Sequence, residues 1–215
     1  MKKIMAKCTL PLLALTVGFF SFNAELSTVS AETPSSSKLT SEQVVQKFEE
    51  IDKKYPYNVE LSKEDTKFIK EYADPNPALF GPDKAKAKIN YENYGKDSRY
   101  FNKSGSGSGI SATINGYVWD DIGIINNSFG AYFSTSVNSG KATKIVNTVS
   151  ITSYGLVGSG GIGKVYSKTL SSSNTNQNYL YSDMSQGYTA SVAYSSKFAK
   201  SVISNNSGSF TVATY

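Results

Sequence analysis

Two hydrophobic periodicities divide the chain. Before residue 75, apolar residues recur every three or four positions, as Val44, Phe48 and Ile51 do, which is the spacing of an amphipathic helix. From Ile110 onward, apolar and polar residues alternate, and side chains two positions apart share one face of a β-strand. Together these patterns predict a mainly β protein: a C-terminal antiparallel β-sandwich preceded by a short N-terminal helical hairpin.

The predicted helical hairpin occupies residues 32–75 and is rich in charged side chains. Thr40 and Gln43 have the spacing of a helix capping box, and Ser62 with Asp65 begins a second helix in a similar way. A hairpin this short buries too little apolar surface to fold alone. We therefore expect it to be a pro-segment, a spacer or a lid over the sheet.

Residues 76–109 are predicted to form a linker between the hairpin and the sheet. The first part contains two prolines and several lysines, with one weak helical turn near residues 83–89. The end, residues 104–109, alternates serine and glycine, a composition typical of flexible coil. The antiparallel β domain is therefore expected to span residues 110–215.

The β domain carries several strand and turn signals. Alternating stretches at 144–154 and 162–170 flank a glycine-rich segment, and a further alternating stretch runs from residue 188 to residue 195. Asparagine, serine and glycine clusters mark turns, the longest at 171–178. Proline is absent after residue 82, so no proline interrupts a strand ladder in this region.

Residues 1–31 have the pattern of a cleaved secretory signal peptide. Three lysines precede an apolar run at 10–20, and Val29-Ser30-Ala31 places small residues at a peptidase site. We therefore expect a secreted, extracellular protein. Cys8, the only cysteine, lies within this signal, and disulfide-free secretion favours a bacterial origin.

Charge and composition exclude several functions. The formal net charge is +5, and the chain has no dense field of basic residues and a single arginine, Arg99. Nucleic-acid binding is therefore not expected. The absence of histidine, with Cys8 in the signal, removes serine–histidine and cysteine–histidine catalysis and ordinary zinc sites. We expect no catalytic residue, no metal site, no cofactor and no enzymatic activity.

Trp119, Asp120 and Asp121 are the candidate ligand-binding residues. The single tryptophan can stack on a sugar ring while a carboxylate accepts hydrogen bonds from its hydroxyls. The alternative is an acidic strand end without a ligand. Adjacent carboxylates point to opposite faces of a strand, so this pair cannot flank one glycosidic bond. Tyrosines such as Tyr181 and Tyr188 are expected mainly to pack across strands.

A second candidate feature is the segment 144–170. Residues 158–163 match G-x-G-x-x-G, but a strand-like sequence follows where a dinucleotide site needs a helix, so we interpret them as a hairpin turn. The tip of this hairpin carries Leu156, Val157 and Ile162. A hairpin with one apolar face is typical of segments that insert into membranes, although an asparagine and two lysines interrupt this one.

Two functions remain open at this level. The first is a secreted, non-enzymatic binding or matrix module that recognises cell wall or glycan or associates with itself. The alternative is a membrane-active, bacteriocin-like or pore-forming toxin that uses the 144–170 hairpin.

Overall fold

A computed structural model describes residues 39–80 and 96–215. The predicted signal peptide at 1–31 and the helical turn near 83–89 lie outside the described residues. The described residues form two antiparallel sheets, which make up the predicted β-sandwich. Two helices near the start of the described chain form the predicted helical hairpin.

The helical hairpin consists of α1 (Ser41–Lys54) and α2 (Lys63–Tyr72), followed by a single turn, α3 (Pro77–Phe80). The Thr40 hydroxyl accepts a hydrogen bond from the Gln43 amide, and the Gln43 side chain accepts one from the Thr40 amide. This is the predicted capping box, and it satisfies two backbone donors at the start of α1.

The strands divide between two sheets. Sheet 1 has the order β1–β8–β5–β6, with β9 also paired to β8, and sheet 2 has the order β2–β3–β4–β7. All pairs are antiparallel. The bounds are β1 (Asp74–Pro75), β2 (Lys96–Gly107), β3 (Ile110–Ile122), β4 (Asn126–Ser139), β5 (Lys144–Val157), β6 (Gly161–Thr175), β7 (Tyr179–Thr189), β8 (Tyr194–Asn205) and β9 (Gly208–Ala213).

The principal core lies between the sheets and follows the two-residue alternation. Along β3 the buried apolar positions are Ile110, Ala112, Ile114 and Val118, and the residues of the other parity face away. Each of the other central strands contributes a similar row, so the core contains one face of both sheets. Side-chain alternation read from the sequence therefore assigns the inner face correctly.

A second apolar cluster joins the helical hairpin to the other face of sheet 1. Phe48 and Ile69 of the helices pack with Tyr154 of β5 and Phe198 of β8, all buried. The loop between the helices donates backbone hydrogen bonds to β6, from the Leu61 amide to the Ile162 carbonyl among others. The hairpin therefore covers this face of sheet 1 and is here called the helical lid, and its contacts cover the edge strand β6.

The flexible-linker prediction for 76–109 is wrong from residue 96 onward. Strand β2 pairs with β3 along its whole length, from Lys96 opposite Asp121 to Gly107 opposite Ile110. A Cβ on Gly107 would lie 2.7 Å from Phe210 of β9. The glycines of this segment therefore permit close packing against β9 and do not make a flexible tether. The β domain accordingly begins at residue 96, before the predicted start at 110.

Two strand boundaries also differ from the sequence prediction. The alternating stretch 188–195 is divided, because β7 ends at Thr189 and the chain crosses from sheet 2 to sheet 1 before β8. Residues 171–175, predicted to belong to a turn, extend β6. The glycine-rich turn is confirmed and shorter than expected: it spans 158–160, where Gly158 and Gly160 adopt positive φ angles.

The helices of the described residues are all too short or too polar to cross a lipid bilayer.

Candidate functional site

The outer face of sheet 2 carries a row of aromatic side chains. Tyr100 of β2 lies opposite Tyr117 of β3, and Tyr117 lies opposite Tyr132 of β4. Tyr181 of β7 completes the row on the far side of Tyr132. These four residues, here called the tyrosine row, cross the whole sheet. Tyr100, Tyr117 and Tyr132 are directly paired, and Tyr181, which is paired with Ser134, lies diagonally from Tyr132 on the same face.

The rings of the tyrosine row are in contact from end to end. The ring centroids of Tyr100 and Tyr117 are 5.3 Å apart, and those of Tyr117 and Tyr132 are 5.6 Å apart and nearly parallel. Tyr181 meets Tyr132 edge-on at 4.9 Å. These distances are typical of favourable aromatic pairs, so each ring helps to orient the next.

Three of the four side chains in the tyrosine row are exposed, and Tyr117 is partly buried. Tyr100 is 77% exposed, Tyr132 44% and Tyr181 42%, whereas core tyrosines such as Tyr154 are fully buried. The expectation that tyrosines pack across strands holds for Tyr188, which is buried, and for Tyr181, which contacts Tyr132 on the neighbouring strand but remains exposed. A contiguous exposed aromatic surface in a folded protein usually marks a binding site.

Polar groups lie within and beside the tyrosine row. Asp183 of β7 lies directly opposite Tyr132, and the next row toward the β2–β3 turn contains Asn102, Asn115 and Ser134. These side chains provide donors and acceptors next to the rings, with Asp183 as the single charge directly opposite a ring of the row. The surface therefore combines stacking area with hydrogen-bonding groups.

The three predicted ligand residues divide between the two faces of β3. Trp119 and Asp121 lie on the outer face with the tyrosine row, and Asp121 is exposed. Trp119 covers Gly130 of β4, where a Cβ would lie 2.8 Å from the indole ring and 2.4 Å from the Met184 carbonyl oxygen. Glycine at 130 thus leaves the space that the tryptophan ring occupies.

Asp120 belongs to the interior and not to a ligand edge. It is 2% exposed, accepts a hydrogen bond from the Ser195 hydroxyl at 2.5 Å and lies 2.9 Å from the Lys197 ammonium nitrogen. Its position agrees with strand parity, since it shares a face with Ile114 and Val118. The proposed use of Asp120 as a surface ligand is therefore wrong.

Asp120 is part of a buried ion cluster between the two sheets. Lys197 of β8 contacts Asp97 and Asp120, and its ammonium nitrogen lies 2.9 Å from Asp74. Arg99 donates from one nitrogen to both oxygens of Asp74, at 3.0 and 3.2 Å, and its guanidinium lies over the Tyr215 ring. In the sequence, this cluster is indicated by charged residues at strand positions that alternate in phase with the buried apolar residues.

The tip of the 144–170 hairpin is only partly exposed. Leu156 is 70% exposed, while Val157 and Ile162 are buried, and the Leu61 amide binds the Ile162 carbonyl. Strand β5 is bonded to β6 on one side and to β8 on the other. Release of the hairpin would break the β5–β8 ladder and expose core residues.

A polar cavity lies at the loop end of the sandwich. It has a volume of about 620 Å³ and is lined mainly by asparagine, serine and threonine residues, together with Lys141 and Ala142. The lining contains no aromatic residue. The cavity therefore offers hydrogen bonds without a stacking surface, and the tyrosine row is the more specific candidate.

The geometry defines the class of the molecule as an antiparallel β-sandwich with a helical lid and an exposed aromatic face. No family model, curated protein or solved structure matches the chain. Within residues 39–80 and 96–215, no group of three or more potential ligand side chains is arranged to hold a metal ion.

Proposed function

We propose that this chain is a secreted, non-enzymatic binding module that holds a glycan of the cell wall or extracellular matrix against the tyrosine row. The observation that carries the proposal is the continuous contact of four tyrosine rings across one open sheet face. A tyrosine ring packs against the apolar C–H face of a sugar while its hydroxyl remains available for hydrogen bonding.

The dimensions of the face suit an extended ligand. Neighbouring strands lie about 4.8 Å apart, so a row across four strands spans about 14 Å. The row lies on the outer face of a sheet and three of its four rings are exposed, which favours a polymer lying across the sheet over a small molecule held in a pocket. Asn115 and Ser134 border it, and such uncharged groups favour a hydroxyl-rich neutral ligand.

The membrane-active alternative has less support. It requires the β5–β6 hairpin to leave the sandwich, and that movement exposes residues such as Val149 and Ile151, which are completely buried. It also requires the contacts of the helical lid with β6 to break. No comparable rearrangement is needed for a ligand to reach the tyrosine row.

Retention on insoluble polysaccharides tests the proposal. We expect the protein to be retained on at least one of purified peptidoglycan, chitin and cellulose. Removing Tyr100 and Tyr132 together by substitution with alanine should weaken binding about 30-fold or more, because a central aromatic anchor contributes about 2 kcal/mol or more.

Tyr57→Ala is the matched control. Tyr57 is also about half exposed but lies in the loop of the helical hairpin, away from sheet 2. Its substitution should leave retention unchanged. The proposal fails if the unmodified protein is retained on none of the polymers, or if Tyr100→Ala/Tyr132→Ala binds as well as Tyr57→Ala. Concentration-dependent dimerisation that the double variant abolishes would identify self-association as the use of this face.

A further inference from the structure

The most unusual group in the molecule is the side chain of Lys197. Its side chain has no solvent exposure and lies between the two sheets. A buried lysine is costly unless its charge is compensated. Three carboxylates surround it, from Asp74, Asp97 and Asp120, which come from β1, β2 and β3 respectively.

The three carboxylates are not equivalent. Asp74 receives two hydrogen bonds from Arg99, and Asp120 receives one from Ser195. In the described part of the chain, the hydrogen bond to Asp97 comes from Lys197 alone. Three carboxylates against the two cations Lys197 and Arg99 leave one excess negative charge, which is removed if one carboxyl group is protonated.

We propose that Lys197 and Asp97 become joined by an intramolecular amide bond, formed between the lysine Nζ and the Asp97 carboxyl carbon. Their contact in the folded chain brings the two reacting groups together without a further conformational change. The bond would connect β8 of sheet 1 to β2 of sheet 2 and thereby cross-link the sandwich.

The reaction needs no cofactor and no oxidant. The Asp120 carboxylate takes one proton from the Lys197 ammonium, and the free amine attacks the carbonyl carbon of protonated Asp97. The tetrahedral intermediate passes a proton from nitrogen to a hydroxyl, the carbon–oxygen bond breaks, and water leaves. Overall, an ammonium and a carboxylic acid give one amide, one water and one proton, which remains on Asp120 until it exchanges with solvent.

The electrostatics of the cluster favour Asp97 as the carboxyl group that is attacked. Burial raises the pKa of Asp97, and the nearby Asp120 and Asp74 raise it further, against the opposing effect of Lys197. The neutral acid is the form of a carboxyl group that an amine can attack. Burial by itself would lower the pKa of Lys197, but Asp120, Asp74 and Asp97 together raise it above its ordinary value. The free amine is therefore rare, and we expect the bond to form slowly after folding.

Mass spectrometry of the purified full chain tests the proposal. After prolonged incubation of the folded protein, the intact mass should be lower by one water than the sequence requires, once the N-terminus has been mapped. Trypsin digestion after denaturation should give the tripeptide 97–99 attached to a peptide spanning 169–200, because the amide blocks cleavage after Lys197. Recovery of the tripeptide and of a peptide ending at Lys197 unlinked, without loss of water, overturns the proposal.

Three variants separate the chemical roles. Asp97→Asn should still form the bond but lose ammonia in place of water, a mass difference that a purely ionic role for this residue does not produce. Asp120→Asn should remain uncross-linked while its circular dichroism spectrum stays native-like. Asp121→Asn, which alters the exposed neighbour, should cross-link as the unmodified protein does. If Asp120→Asn does not fold, the mass of the unmodified chain and of Asp97→Asn still decides the question.

Discussion

Replacement of Asp65 by asparagine is expected to lower the free energy of unfolding by about 2–3 kcal/mol at neutral pH. Asp65 lies in the first turn of α2 and is 2% exposed. Its Oδ2 atom accepts hydrogen bonds from the hydroxyls of Tyr55 at 2.7 Å and Ser62 at 3.0 Å. The Ser62 amide in turn donates to the Tyr55 hydroxyl oxygen, so the carboxylate connects both ends of the interhelical loop.

The magnitude follows from which of these bonds depend on charge. A hydrogen bond to an ionised acceptor contributes about 1.5–3 kcal/mol, and the two hydroxyl bonds are of this kind. Lys54 and Lys47 also contact Asp65, but their side chains are 58% and 33% exposed, so these salt bridges add little. Asparagine keeps one acceptor oxygen, which limits the loss to about the value of one to two such bonds.

The loss should also depend on pH. Burial by itself would raise the pKa of Asp65, but the hydrogen bonds from Lys54, Tyr55 and Ser62 lower it below its ordinary value. A carboxyl group with a lowered pKa in the folded state stabilises the fold above its unfolded pKa of about 3.9, and this contribution disappears as the pH falls below it. The difference between the two proteins should therefore be full at pH 7 and shrink progressively in acid.

Urea unfolding followed by circular dichroism at several pH values measures this effect. Glu64→Gln is the control, since Glu64 is exposed in the same helical turn and its substitution should change stability by less than about 0.5 kcal/mol. A loss below about 0.5 kcal/mol for Asp65→Asn at pH 7 would refute the reasoning. So would a loss of equal size at neutral and acid pH, because the charge would then have no part in it.

Two other substitutions test the packing of the molecule, both by chemical unfolding at pH 7. Phe48→Ala should destabilise the protein by about 3–5 kcal/mol, because this ring is 1% exposed and packs between the helical lid and the sheet, 5.3 Å from the Tyr215 ring. A change under about 1 kcal/mol would mean that the lid adds little stability. Asn147→Ala should cost about 2–3 kcal/mol, because Asn147 is completely buried and receives a 2.6 Å hydrogen bond from Thr135; an unchanged midpoint would show that this bond between the sheets has no net value.

The tyrosine row shows which neighbours the alternation of side chains along a strand can predict and which it cannot. Tyr117 and Trp119 are two residues apart, so the sequence places them on one face of β3. It does not indicate that Tyr100 and Tyr132 lie beside Tyr117, because strand register depends on the partner strands and turns. Tyr100 also lies in the segment that the sequence predicts to be a linker, because its strand ends in a serine–glycine run, a composition that usually forms coil.

Local sequence determined the helix starts, the strand alternation and therefore the β-sandwich with its N-terminal helical hairpin. These features depend on neighbours within a few residues, such as the Thr40–Gln43 capping box or the alternating side chains of β3. The alternation of side chains along β3 by itself also places Asp120 on the inner face, although a charged residue is more often found at the surface.

Only the tertiary structure decided which distant groups meet. Lys197 and Asp97 are separated by about half of the chain, and Gly105 and Gly107 allow β2 to approach β9 closely. Such contacts form when sheets stack and strands pair across long loops, so their energy depends on the whole fold and not on any local pattern. The buried ion cluster and the tyrosine row both arise at this level, from residues that no short segment of sequence contains together.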